Sequence, residues 1–348
     1  MERFFRTRVY LYAAAAMCLN ISGCKTRAES ASVKNANDQG AATSTQTLSH
    51  ATRIAAGDAH TCALLDSGQI ACWGSNTLGQ LGIGDTGVDA GPEKCHAALG
   101  HDGLPPPEFA CSRQPLAVKW PSEAGRPIDL TGAGDHTCAL DDKGGIWCWG
   151  DNDNEQLGSP SGTHCKLSPT AQLQKCTRSP QRVIKIAATV RKIQTSRSHT
   201  CALMEGSSMF CWGSDVQGQL GAADTLVGKS VMEPQAVMDL PGPAEDFIVN
   251  GTSTCANVQA DGGPKIACWG ENSDSAAPIH DLGSLPTGQC SGIIPCNRKP
   301  TIATELPAGA LAYTVRPSCV FLATTANGAL RSVNWPLFST GGEGGLPC

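Results

Sequence analysis

The sequence predicts an all-β fold of repeated hairpins that stack as the blades of a closed ring, and three observations carry that prediction. One unit recurs five times in 348 residues, each copy ending on a tryptophan: Trp73, Trp149, Trp212, Trp269 and Trp335, spaced by 76, 63, 57 and 66 residues. In the first four copies two cysteines flank a turn, the second cysteine directly before the tryptophan. With 39 Gly, 22 Pro, 18 Cys and only 16% charged residues, the composition is that of short strands joined by turns and excludes a long helical bundle.

The first element is an address. Arg3, Arg6 and Arg8 precede an apolar run from Val9 to Leu19, and the small residues Ser22 and Gly23 follow, which is the layout of a secretory signal. The run is too short for a bilayer, which needs roughly 20 residues. Ile21-Ser22-Gly23-Cys24 resembles the bacterial lipobox. Residues 1–23 are therefore expected to be a signal peptide, and Cys24 the acylated first residue of an exported lipoprotein anchored through its lipid. Lys25, by resemblance to lipoprotein sorting, favours the outer membrane. Residues 24–50 hold few large aliphatics and no aromatic, so they read as a flexible tether. Residues 51–348 form the repeat domain. Without residues 1–23, 23 basic and 30 acidic residues remain, a net charge of −7 that argues against nucleic acid as a partner.

The copies lie near 54–84, 130–158, 193–221, 247–270 and 311–335. In the first, a turn at Asp66-Ser67-Gly68 pairs Leu65 with Gln69 and sets Cys62 opposite Cys72, within disulfide reach. The same count pairs Cys138 with Cys148 and Cys201 with Cys211, and a longer turn pairs Cys255 with Cys268. Because successive strand residues face opposite sides, Cys72 and Trp73 point to different faces, and both need cover. Burying ~200 Å² of indole is worth at most ~5 kcal/mol per copy, available only if neighbouring copies stack.

The string His-Thr-Cys-Ala-Leu, then Gly, then Cys-Trp-Gly-x-Asn-x-x-Gly-Gln-Leu-Gly resembles the repeat of the regulator of chromosome condensation family, in particular its secreted, alpha-tubulin suppressor-like bacterial members. The resemblance covers residues 51–339 and implies a β-propeller with four-stranded blades, about five here, with the ring closed by the chain ends. Proline-led segments at Pro115, Pro180, Pro234 and Pro300 supply a further strand before each later copy. The first copy has none before it, so 41–50 or 336–347 is expected to provide it.

Setting aside Cys18 and Cys24, 16 cysteines remain, an even number suited to an oxidising compartment. Beyond the four hairpin pairs, the connections suggest Cys95–Cys111, Cys165–Cys176 and Cys290–Cys296. Cys319 is left for Cys348, since Ser332 takes the place of a second hairpin cysteine. His60, His136 and His199 each lie two residues before a cysteine, but zinc knuckles of C-x₂₋₄-C spacing are absent, so they are expected to pack inside a turn and no metal is expected.

Three other motifs are weighed and set aside. Ala223 to Ser230 matches a relaxed phosphate loop without the strand and helix it requires. Gly82-Ile-Gly84 matches a dinucleotide fingerprint by letters alone. Asp151-Asn152-Asp153-Asn154-Glu155 offers calcium-type oxygens but lacks the sixth-position glycine. No catalytic residue and no cofactor is expected.

The function expected is a non-enzymatic, membrane-anchored monomer. Its insertions near 86–114, 159–180 and 271–299 would be presented to an unknown protein or envelope macromolecule. The alternatives are a hydrolase or lyase acting on envelope polysaccharide, and guanine-nucleotide exchange by family analogy, which export disfavours.

Overall fold

The hairpin of each copy is the middle of an antiparallel sheet. A computed structural model describes residues 50–85, 93–96, 108–166, 172–186, 189–222, 226–271 and 295–302, together with the backbone of 32–33, 46–47, 288–289, 310–316, 319–324 and 330–334. Blade 1 runs Ala51–Ala56, His60–Leu65, Ile70–Ser75 and Glu108–Ala117 from inside to outside, with Glu93–His96 added as a fifth, edge strand. Blade 2 repeats this as Pro127–Ala133, His136–Asp141, Ile146–Asp151 and Gln174–Arg182, edged by Thr163–Cys165. Blade 3 has four strands: Val190–Thr195, His199–Met204, Met209–Ser214 and Ser230–Ala236. Blade 4 is Ala244–Asn250, Ser253–Ala260, Gly263–Glu271 and Pro295–Ile302, edged by Gly288–Gln289. The fifth sheet is Ala310–Arg316, Cys319–Thr324 and Leu330–Asn334. Within the segment read as a tether, Ser32–Val33 pairs with Gln46–Thr47.

The register places Cys62 opposite Cys72, Cys138 opposite Cys148, Cys201 opposite Cys211 and Cys255 opposite Cys268. All four pairs are bonded, with Cα atoms 4.0–4.1 Å apart. Two further bridges, Cys95–Cys111 and Cys165–Cys176, clamp the edge strands of blades 1 and 2 to the fourth strands. Cys296 is also disulfide-bonded. Cys24, Cys290, Trp335 and Cys348 lie outside the described residues.

Two expectations are corrected by strand order. Each proline-led strand closes the blade of the copy before it, not the one after: the strand with Pro115 pairs with Ile70–Ser75, and the strand with Pro180 pairs with Ile146–Asp151. Blade 1 is therefore complete without any strand from 41–50 or 336–347, and the sheet with only three described strands is the fifth. In that sheet Cys319 faces Asn334, while Ser332 faces Phe321, so Asn334 and not Ser332 holds the place of the second hairpin cysteine.

The Cys-Trp-Gly string is a β-bulge device. Against the fourth strand the register slips between Cys72 and Gly74, and likewise at Cys148/Gly150, Cys211/Gly213 and Cys268/Gly270, and in blades 2, 3 and 4 the tryptophan at the slip is aimed at the neighbouring blade. The glycine after it has φ of 100–106°, and a Cβ there would lie 2.3–2.5 Å from a carbonyl of the preceding loop, which only glycine permits. The prolines sit in the looped-out stretch of the fourth strand, where no ladder N–H is needed.

The core lies between blades. Leu81, Ile83, Cys62 and Cys72 of blade 1 enclose Leu130, Ala139 and Trp149 of blade 2. Cys138, Cys148 and Leu157 then meet Ile193 and Trp212, and Cys201, Cys211 and Leu220 meet Phe247 and Trp269. The disulfide face of one blade thus covers the indole face of the next. Trp149, Trp212 and Trp269 are fully buried. Trp73 is not: it is half-buried against Ala63, Leu65 and Ala71 of its own blade.

Candidate functional site

The polar residues of the repeat are committed to the joints between blades. After each tryptophan the chain makes a tight turn. Asn76 Oδ1 accepts from Leu81 N at 2.9 Å, Asn152 Oδ1 from Leu157 N at 2.9 Å, and Asp215 Oδ1 from Leu220 N at 2.9 Å. This turn aims one backbone carbonyl at the following blade. Gln80 O accepts Trp149 Nε1–H at 2.9 Å, and Gln156 O accepts Trp212 Nε1–H at 3.0 Å. The closing glycine of the turn lies over that indole. At Gly82, Gly158 and Gly221, with φ of 62–66°, a Cβ would come within 2.7–2.8 Å of the indole nitrogen.

The histidines complete the joint. His60 Nε2 lies 2.7 Å from Thr137 Oγ1, His136 Nε2 3.1 Å from Thr200 Oγ1, and His199 Nε2 2.9 Å from Thr254 Oγ1. Thr200 and Thr254 donate their single hydroxyl hydrogen to Gln156 O and Gln219 O, each at 2.9 Å. A carbonyl only accepts, so in these two joints the histidine Nε2 carries the hydrogen and donates to the threonine. Burial holds these rings neutral: it pushes His60 down to about 4, against the nearby Asp58 carboxylate, and His136 and His199 down to about 3. The structure thus gives the histidines hydrogen-bonding roles in the turn and the joint.

The set-aside motifs have structural partners. Asp151 accepts from Asp153 N and Gln156 Nε2, Asp153 accepts from Lys175 N, and Glu155 pairs with Lys175, so the oxygens of the calcium-like string already have donors from the protein. Leu226 to Ser230, the described end of the phosphate-loop match, is a turn that leads directly into the strand Ser230–Ala236. Among the described residues, no group of three His, Cys, Asp or Glu side chains could hold a metal ion.

Two features are not legible as sequence motifs. At equivalent positions of the innermost strands stand Arg53, Asp129, Lys192 and Asp246, a row of alternating sign. Arg53 pairs with Asp129 at 3.4 Å, and Lys192 with Asp246. The loops at one end of these strands are also joined: Asp58 N donates to Gly134 O at 2.8 Å, and Arg197 reaches from blade 3 to Asp58 of blade 1 at 2.6 Å. Asp135, beside them, is raised by burial and by Asp58. Both features tie blades together.

The remaining surface is the outer edge. Lys94, His96, Glu108 and Arg113 are exposed around the Cys95–Cys111 clamp, and His164, Lys166 and Leu173 around Cys165–Cys176. Among the described residues blade 3 has no edge strand, and its Ser230 occupies the register position held by Cys111, Cys176 and Cys296 in blades 1, 2 and 4.

Asp215 is an exception within the turns. Where Asn152 Nδ2 donates to Ser159 O at 3.1 Å, Asp215 Oδ2 is buried without a donor, and burial raises its pKa to about 6. An acid raised in the folded state stabilises fully below its unfolded value near 4, and that stabilisation is lost as pH climbs through about 6. Asp215→Asn is expected to stabilise the protein at pH 7 by about 1–3 kcal/mol and to flatten its pH dependence between about 4 and 6, read from urea unfolding at several pH values. Equal stability of the two proteins at pH 7 would refute this.

The comparisons agree with this architecture. The family model described as Regulator of chromosome condensation (RCC1) repeat matches residues 51–80, 132–156 and 190–219. Human E3 ubiquitin-protein ligase HERC2 is 27% identical over 82% of this chain and 5% of its own length, and mouse protein RCC2 is 27% identical over 66% of this chain and 42% of its own. The chain spans less than half the length of these relatives. Prp20p from Saccharomyces cerevisiae, whose structure was described with its binding to Gsp1p and histones, superposes with a TM-score of 0.56 at 19% identity, over 82% of this chain and 58% of that one. This likeness shows the fold: an RCC1-like β-propeller.

Proposed function

We propose that this chain, an RCC1-like repeat protein, is a non-enzymatic, lipid-anchored scaffold that presents disulfide-clamped edge loops to a protein partner. An RCC1-like propeller scaffold fits a protein-binding role, and Prp20p, which shares the fold, is described as binding proteins. The observation that carries the reading is the division of labour among residues. His60, His136, His199, the turn residues and the indoles hold blades together, whereas blades 1, 2 and 4 add an edge strand outside that core, clamped to its neighbour by Cys95–Cys111 and Cys165–Cys176 in the first two. Clamping lowers the conformational entropy that a loop loses on binding. Anchoring through Cys24, export and outer-membrane placement rest on the Arg3-to-Cys24 pattern, and action as a monomer belongs to the same proposal.

The test is affinity capture from envelope fractions with the full acylated chain, set against chains in which 86–107, 167–171 and 272–287 are replaced by short Gly-Ser links. Stepwise loss of a captured protein, with the thermal transition retained, is the expected result. Cys95→Ser with Cys111→Ser should weaken binding of that protein by roughly tenfold. Undiminished capture by the chain lacking all three segments would defeat the loop reading. Cys24→Ser should move the protein from membranes to the soluble fraction.

A further inference from the structure

The six described bridges are not equally covered. Of their twelve cysteines, eleven are 0–3% exposed, and Cys95 alone is half-buried. It lies on Glu93–His96, the edge strand of blade 1, between the exposed Lys94 and His96. Its partner Cys111 is fully buried, so this bridge runs from the surface into the sheet.

Blade 2 supplies an internal comparison. Cys176 stands at the register position of Cys111, and the Cα atoms of Cys165 and Cys176 are 5.8 Å apart against 5.9 Å for Cys95 and Cys111. The two clamps share their backbone placement, and cover is what separates them. Leu78, from the turn of blade 1, packs on Cys165 and Cys176 and leaves Cys165 only 1% exposed. The charges around Cys95 are of both signs: Glu93 lies 3.6 Å from Arg113, and Glu108 lies 3.9 Å from His96. They single out no sulfur as a thiolate, so access decides which bridge an external thiol reaches. The strand itself is lightly held. It pairs over four positions, from Glu93 opposite Cys111 to His96 opposite Glu108, and so short a ladder adds little once its bridge is open.

We propose that Cys95–Cys111 is a thiol-exchange site, the bridge that an external dithiol reductant opens while the propeller stays folded. The incoming thiolate bonds to Cys95 Sγ as the Cys95–Cys111 bond breaks, and the electron pair passes to Cys111 Sγ, which takes up a proton. The reductant's second thiol then attacks the reductant's first sulfur and releases Cys95. The dithiol leaves as a disulfide, and the clamp has gained two electrons and two protons. Opening unfastens the edge strand of blade 1 and so switches off its presentation. That consequence rests on the scaffold reading above; the exchange site does not.

Graded reduction of the oxidised full chain with dithiothreitol, quenched by iodoacetamide and read by mass spectrometry of the cysteine peptides, tests it. Cys95 and Cys111 should be alkylated about tenfold faster than Cys165 and Cys176, before any change in tryptophan fluorescence. Leu78→Ala, which uncovers the second clamp, should narrow that ratio to about threefold. With glutathione and an acid quench, the mixed disulfide should sit on Cys95. Equal rates for the two clamps, or opening of Cys95–Cys111 only together with the fluorescence change of unfolding, would overturn the site. An adduct on Cys111 would overturn the choice of sulfur. Partner capture plays no part in these rates, so failure of the scaffold reading leaves the result standing.

Discussion

Replacing Trp212 with alanine is expected to destabilise the protein by about 3–5 kcal/mol, the largest loss for any single side chain described. The indole is fully buried between blades 2 and 3, its N–H bonded to Gln156 O at 3.0 Å and its ring lying against Gly158. Neither wall can move in to refill the space, because each is a sheet stapled across its own hairpin, by Cys138–Cys148 on one side and Cys201–Cys211 on the other. Truncation would also leave Gln156 O with only Thr200 as donor. Gly158→Val attacks the same joint from the other wall, since a Cβ there would lie 2.7 Å from the indole nitrogen on a backbone at φ +66°. Equilibrium urea unfolding reads both variants. A loss below about 1 kcal/mol for Trp212→Ala would show that the indoles do not carry the joints.

The second large effect is acid sensitivity. A histidine held neutral by burial stabilises the fold above its unfolded pKa near 6.5, and that stability drains away as pH falls toward the folded value. With folded values of about 4 for His60 and about 3 for His136 and His199, each costs roughly 3 kcal/mol by pH 4. Asp151 and Asp215, both pushed up to about 6 by burial, act the other way and return roughly 2 kcal/mol each over the same range. The histidines win. Unfolding on acidification, followed by tryptophan fluorescence, is expected to be centred at about pH 4–5 and to move down by about half a unit in His136→Gln, whose amide can still donate to Thr200. An unchanged midpoint in that variant would show that the joint histidines are not the acid-labile groups.

The hairpins were legible because their signals are local: a turn of fixed length sets Cys62 opposite Cys72, and strand alternation sends Trp73 to the other face. Ownership of the fourth strand was not. The segment with Pro115 lies between two anchor tryptophans, and only its ladder to Ile70–Ser75 assigns it to the earlier one. Assigning it forward made blade 1 look incomplete and misdirected the expectation about the chain ends. The joint network was hidden for a related reason. His60 meets Thr137 across 77 residues and His199 meets Thr254 across 55, so the His-Thr pair adjacent in the motif acts between blades and never within one. Placing those histidines inside a turn captured their burial and not what they bind. That blade 3 shows no edge strand among the described residues needed the register, which sets Ser230 where Cys111 and Cys176 stand.

The alternating row of Arg53, Asp129, Lys192 and Asp246 sets a parity condition. Two signs can follow one another around a circuit without conflict only when the number of members is even, and the described residues form five repeat sheets. One member must stand out, or two like charges become neighbours. By register the fifth member is Thr314, which carries no charge and so adds no like-signed neighbour to Asp246. In a closed ring of five, lysine at that position would stand beside Arg53 and aspartate beside Asp246, so an uncharged residue is the one choice that sets no like signs side by side.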